Sequence, residues 1–167
     1  MSPDDLDGLV VPDVVGEVVG WRAWRVIGTR KLPILSSVVR RNMIWHPNRW
    51  THALCGTELV CKKGGQVPGE RCSCGMYAAA TRRQLVELGY NEDAGDGHPV
   101  FIGQVGMAGK VIPGTQGWRA EKARVLRLYV PIQMYQWAAP LERLYRVEVR
   151  LDNTYSETPL FGGAEGS

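Results

Sequence analysis

No stretch of this sequence approaches the roughly 18 consecutive apolar residues that a membrane-spanning helix requires, so no membrane association is expected. Histidine is scarce, with three in 167 residues, and no H-E-x-x-H, G-x-S-x-G or Walker-type pattern occurs. These gaps remove the usual sequence signs of zinc proteases, serine hydrolases and phosphate-binding loops. Residues 1–19 carry five acids and no base, so the start of the chain lacks the basic region of a secretory signal. The expected compartment is therefore the cytoplasm, or a host's cytoplasm for a virus-encoded chain. Thiols stay reduced there, and four cysteines point to a metal or to thiols before disulfides.

What is present describes an ordinary globular domain. Apolar residues make up 44% of the chain and charged residues 22%, with six Trp and six Tyr, which argues against disorder of the whole. Twenty Gly and ten Pro favour short strands and many turns over long helices. The net charge of +3 hides an uneven distribution. Residues 20–50 hold seven bases (Arg22, Arg25, Arg30, Lys31, Arg40, Arg41, Arg49) and no acid, and residues 101–130 hold five bases against Glu121 alone. Such blocks can meet phosphates or an acidic partner, or they can face water while their stems cover apolar surface.

Residues 1–13 read as a loose acidic arm, 14–152 as a single domain and 153–167 as a loose tail. Val14 to Ile27 is rich in β-branched and aromatic residues and predicts a strand. A turn at Gly28-Thr29-Arg30 returns it as a second strand over Leu32 to Val39, with Pro33 near the start. Val100 to Ile112 and Trp118 to Val130 predict a second long hairpin around Pro113 to Gly117. The end of that last strand carries apolar residues on both faces (Val125, Leu126, Leu128, Tyr129, Val130), as expected near the centre of a sheet. Helical patterns fall at Tyr77 to Gly89 and, after Pro140, at Leu141 to Tyr145. Tyr145, Val147, Val149 and Leu151 then alternate like a strand. The expected fold class is α+β: a β-rich domain built on two antiparallel hairpins, with a metal-pinned loop region and one or two short helices. Gly20-Trp21-Arg22-Ala23 recurs as Gly117-Trp118-Arg119-Ala120, which hints at similar roles for the two tryptophans. Arg119 and Glu121 share a strand face and are expected to serve in cross-strand salt bridges.

Residues 40–75 look irregular, and a loop region of that length needs something to hold it. All four cysteines lie in it: Cys55, Cys61, Cys72 and Cys74, spaced C-x5-C-x10-C-x-C. Four thiolates can close a tetrahedral shell around a structural zinc ion, and Lys62, Lys63 and Arg71 would lower their pKa and balance their charge. The tight Cys72-x-Cys74 pair needs a kink for both sulfurs to converge, which Gly75 can supply. His46 and His52 are reserve ligands, either of which could stand in for Cys61. Buried thiols packed as small hydrophobes are the competing assignment.

Several runs also carry a resemblance. Gly20 to Val26 (GWRAWRV), Trp45-His46-Pro47, Ala53-Leu54-Cys55, Cys72 to Ala78 (CSCGMYA) and Gly103 to Ala123 (GQVGMAGKVIPGTQGWRAEKA) resemble, in order and wording, a family of small proteins of actinobacteria and their phages. The resemblance spans about residues 18–150. It implies an actinobacterial or phage origin and a shared role for Cys55, Cys72 and Cys74, and it carries no activity. Relatives of that kind often place a histidine between the first cysteine and the C-x-C pair, where this chain offers Cys61.

Two functions follow as expectations. The first is a non-enzymatic, zinc-stabilised binding module that docks a macromolecule, a host protein in preference to nucleic acid. Its basic, tryptophan-rich surface would comprise Trp21, Arg22, Trp24, Arg25, Arg40, Arg41, Trp45, Arg49 and Trp50, because Arg and aromatic residues dominate hot spots and aromatics between bases can stack nucleobases. The second is a small hydrolase-like enzyme. It would use Cys72 or Cys74 as nucleophile with His46, His52 or His98 as base, or a catalytic zinc with Glu58, Glu70 or Glu121 as general base. Four thiolates would close the metal shell and leave no place for water, which weighs against the second.

Overall fold

The computed structural model describes residues 17–39, 43–55, 67–70, 72–89 and 97–152. The expected arm over 1–13 and tail over 153–167 lie outside the described residues. The chain is strand-rich with short helices, as the β-rich α+β expectation requires. Strand β1 (Val18–Gly28) turns through Thr29–Leu32 into β2 (Pro33–Ser37), antiparallel, with Trp24 opposite Ser37 and Gly28 opposite Pro33. Two-residue strands β3 (Ile44–Trp45) and β4 (Thr51–His52) follow, then β5 (Met76–Ala79). The long pair β6 (Val100–Pro113) and β7 (Gly117–Val130) is closed by Gly114 N–H donating to the Gly117 carbonyl at 2.7 Å. The last strand, β8 (Glu148–Leu151), runs parallel to β7.

The pairings close on themselves. β6 pairs with β1 on one edge and β7 on the other. β5 bridges the same two strands, with Trp21 opposite Ala79 on one side and Gly117 opposite Ala79 on the other. Strands β1, β6, β7 and β5 therefore form a ring, and a closed ring leaves fewer exposed strand edges than an open sheet. Beyond β5, the same edge of β7 is taken by β4 and then by β8.

The ring buries two faces. Trp24, Phe101, Met107, Leu128 and Leu141 belong to one core, whereas their neighbours Ala23, Ile102 and Tyr129 belong to a second, as strand alternation demands. The two-faced apolar end of β7 has a specific cause. The β6–β7 register slips between Gln104 and Val105, where β7 jumps from Arg127 to Val125, and again between Ala108 and Val111. Each irregularity changes which alternate residues of β7 face the main core: Trp118 and Ala120, then Ala123 and Val125, then Leu128 and Val130.

Both expected helices are repositioned. Tyr77, Ala78 and Ala79 are strand, and helix α1 covers Arg82–Glu87. The alanines favour a helix locally, but pairing on both edges of β5 overrides that preference. Thr81 starts α1 in a capping box with Gln84, its hydroxyl accepting from the Gln84 N–H. Leu85 and Val86 then pack on the second core. Helix α2 (Ala138–Tyr145) begins before Pro140 and follows a 3-10 turn over Ile132–Trp137. Pro140 is its third residue, where the missing N–H costs no intrahelical bond.

Tyr145 joins α2 to the sheet. It is 3% exposed, its hydroxyl accepts from Leu35 N–H at 2.8 Å and donates to the Trp45 carbonyl at 2.6 Å, so it ties β2 and β3 to the helix. Burial pushes its pKa from 10.0 up to about 12. An unfolded tyrosine releases its proton near pH 10, before the folded one does, so this contribution to stability is complete below pH 10 and is lost as pH rises toward 12. Tyr145→Phe removes both hydrogen bonds and leaves their partners buried; it is expected to cost about 1–3 kcal/mol by urea denaturation at pH 7, and to flatten the stability loss between pH 10 and 12. An unchanged alkaline slope would refute the assignment.

Candidate metal centre

The sulfurs of Cys55, Cys72 and Cys74 all lie within 4.8 Å of one another. Cys55 Sγ and Cys72 Sγ are 3.6 Å apart. Three separate devices bring them together, and two of them use β7. At the end of β4, Ala53 N–H donates to the Glu121 carbonyl at 2.8 Å, which fixes the chain two residues before Cys55. Cys72 N–H donates to the Gly69 carbonyl at 3.1 Å, closing a turn. Arg119 then clamps both sides of that turn: its Nη1 donates to Gly69 O at 3.0 Å and to Cys74 O at 2.8 Å.

Gly75 supplies the bend after Cys74. Its φ is +132°, and a Cβ there would stand 3.0 Å from Arg119 Cβ, so a side chain is opposed by both strain and space. Tyr77 Oη donates to the Ser73 carbonyl and holds the residue between the two cysteines. Cys74 is buried at 4% exposure, whereas Cys55 and Cys72 are half-buried. Soft sulfur donors converging in this way can hold a metal ion. Cys61 lies outside the described residues. Neither His46 nor His52 belongs to the cluster, and among the described residues no histidine or carboxylate joins it within 4.8 Å. Of the enzyme expectation's candidate bases, Glu58 lies outside the described residues.

The expected partner surface is not one surface. Trp24 and Trp45 are 0% and 1% exposed and pack edge to face, with ring centroids 5.4 Å apart. Arg25 is buried as well. These three are buried: Trp24 and Arg25 lie on β1, which is covered on both faces, and Trp45 on β3 packs against Trp24. Arg22 bridges strands: it donates to the Tyr77 carbonyl and to Ser37 Oγ and lies 4.9 Å from the Trp45 ring centroid. Trp21 packs against Tyr129, with Arg82 over both rings. Trp50 lies under Lys122 and Arg124. Arg49 is exposed, and Arg40 and Arg41 lie outside the described residues.

Among the described residues, Arg119 and Glu121 form no salt bridge. Arg119 serves the cysteine turn, and Glu121 Oε2 accepts from Lys110 N–H at 3.1 Å, next to the β6–β7 register slip. The repeated Gly-Trp-Arg-Ala also has a different meaning. Trp21 and Gly117 both stand opposite Ala79, so the two copies are offset by one residue and their tryptophans face opposite sides. What the copies share is the glycine. A Cβ on Gly20 would fall 2.7 Å from Ala78 Cβ, and one on Gly117 would fall 2.0 Å from Ala78 O. Both glycines let β5 close the ring.

Sequence reading also missed a cleft of about 650 Å³ beside the cluster, with Cys74, Trp21, Arg22, Tyr77, Trp118 and Arg119 in its walls. No signal in the sequence could have found it, since its walls come from both hairpins, β5 and α1. No known family model, curated protein or solved structure matches this chain.

Arg119 holds carbonyls and not sulfurs, so its effect on metal binding is through loop geometry. Arg119→Gln is expected to weaken metal binding about 10–100-fold, as loss of an outer-shell partner typically does, while the far-ultraviolet circular dichroism of the metal-loaded chain stays that of the wild type. Competition with a chromogenic chelator measures the affinity, and an unchanged value would show the clamp to be dispensable.

Proposed function

We propose that this chain is a non-enzymatic binding module whose irregular central loop is stapled by a structural zinc ion on Cys55, Cys72 and Cys74, with Cys61, which lies outside the described residues, as the fourth ligand. The convergence of three sulfurs from two separate segments carries the reading. Two thiolates on a tetrahedral zinc, each about 2.3 Å from the metal, stand about 3.8 Å apart; the Cys55–Cys72 separation of 3.6 Å suits that edge and is far beyond a disulfide. The metal would join the end of β4 to the turn before β5, two pieces that otherwise meet only through β7.

Its partner is a macromolecule, a protein in preference to nucleic acid. Five arginines are already ion-paired within the fold: Arg82 with Asp152, Arg83 with Glu87, Arg124 with Glu17, and Arg127 and Arg150 with Glu148. Phosphate recognition relies on cations available for the backbone. The cleft next to Cys74, by contrast, presents Trp21, Tyr77 and Trp118, residue types that dominate protein hot spots. The likeness of GWRAWRV, CSCGMYA and GWRAEKA to actinobacterial and phage proteins makes a host protein the partner to test first. A hydrolytic enzyme is less well supported, because it needs a base beside the metal or thiol.

Metal analysis of the purified chain is expected to give one zinc per chain, and chelation is expected to lower its thermal midpoint. Cys72→Ser should lose both the metal and the chelator sensitivity. A folded wild-type chain without metal would overturn the zinc reading. A labelled oligonucleotide is expected to show no binding at 150 mM salt by fluorescence anisotropy; affinity that falls steeply with added salt would instead establish phosphate contacts.

A further inference from the structure

We propose that Cys55 and Cys72 form a peroxide-sensitive pair whose oxidation to a disulfide ejects the metal and releases Cys74 from it. Three features of the cluster single out this pair. Their sulfurs are 3.6 Å apart, so forming a bond of about 2.05 Å needs an approach of about 1.5 Å. Both residues sit outside helix and strand and are half-buried, so a small oxidant can reach them. Cys74 differs in burial and tethering: it is 4% exposed, its carbonyl is held by Arg119, and Gly75 alone separates it from β5. A Cys72–Cys74 bond would also have to close across a single intervening residue.

The chemistry balances with hydrogen peroxide as oxidant. One thiolate of the pair attacks a peroxide oxygen, the O–O bond breaks, and a sulfenic acid and hydroxide result. The second thiolate attacks the sulfenic sulfur; the S–O bond breaks, the S–S bond forms and a second hydroxide leaves. The two sulfurs together lose two electrons and the peroxide gains them. A disulfide sulfur is a poor ligand compared with a thiolate, so Cys74 would be left as the last thiolate of the three and the ion would be released. Oxidation would then replace the metal link between the end of β4 and the turn before β5 with a covalent one and leave Cys74, in the wall of the cleft, without its metal contact. Reduction by a dithiol, with zinc present, would restore the staple.

The metal half of this proposal rests on the zinc reading, and the test separates the two. The isolated full-length chain is assayed for zinc and then titrated with hydrogen peroxide. Released zinc is followed with a chromogenic chelator, thiols are counted, and disulfides are mapped by peptide mass spectrometry. The expected result is loss of two thiols per chain, a Cys55–Cys72 linkage, zinc release in step with it, and reversal of both by dithiothreitol plus zinc. A zinc-loaded chain that keeps its thiols and metal at peroxide levels that oxidise glutathione overturns the proposal. So does a linkage through Cys74 or Cys61. If the isolated chain contains no zinc, the zinc reading and the metal-release half fail together, and the mapped linkage alone then supports or overturns the redox pair. The wild-type chain carries the whole test, so no variant needs to fold.

Discussion

Four strands hydrogen-bond to β7: β6 along one edge, and β5, β4 and β8 in turn along the other. Doubly paired in this way, β7 cannot shift register without breaking bonds on both sides, and most of the molecule takes its position from it. The ring closes because β5 reaches from β7 to β1, and it can do so because Gly20 and Gly117 leave room around Ala78. Helix α2 is then attached from outside, by Tyr145 reaching the backbone of β2 and β3.

The same strand builds the cysteine cluster. Backbone from Glu121 fixes the approach of Cys55, and the Arg119 side chain fixes the turn that carries Cys72 and Cys74. The two segments that carry the sulfurs are held by hydrogen bonds of the protein itself, and a preorganised site loses less entropy on binding. Arg119 also places a permanent positive charge beside sulfurs that must be anionic to act as ligands. In this arrangement a metal would reinforce an alignment that β7 has already set.

Tryptophan and arginine are used differently from what their clustering in the sequence suggests. Trp24 and Trp45 fill the core, Trp21 and Trp50 are stacked beneath cations, and Arg22 spans β1, β2 and β5. The charge of the basic strand is thus largely spent on holding the fold together. Aromatic surface near the cleft is what remains for a partner among the described residues.

Composition and local pattern alone determined the strand-rich class and the turn between β1 and β2, and they marked Cys55, Cys72 and Cys74 as residues with ligand chemistry. Alternation, turn residues and cysteine spacing are local signals, and each was enough for its own element. Tertiary structure decided the rest. Tyr77–Ala79 is strand because β1 and β7 pair with it, against the helical preference of its alanines. The faces of β7 change where its register slips, which no alternation rule can anticipate. Arg119 became a loop clamp, and Trp24, Arg25 and Trp45 went into the core, because those roles depend on which residues distant in sequence meet across the ring. The sequence could state that three cysteines have ligand chemistry, and only the pairing along β7 could bring their sulfurs to within 4.8 Å.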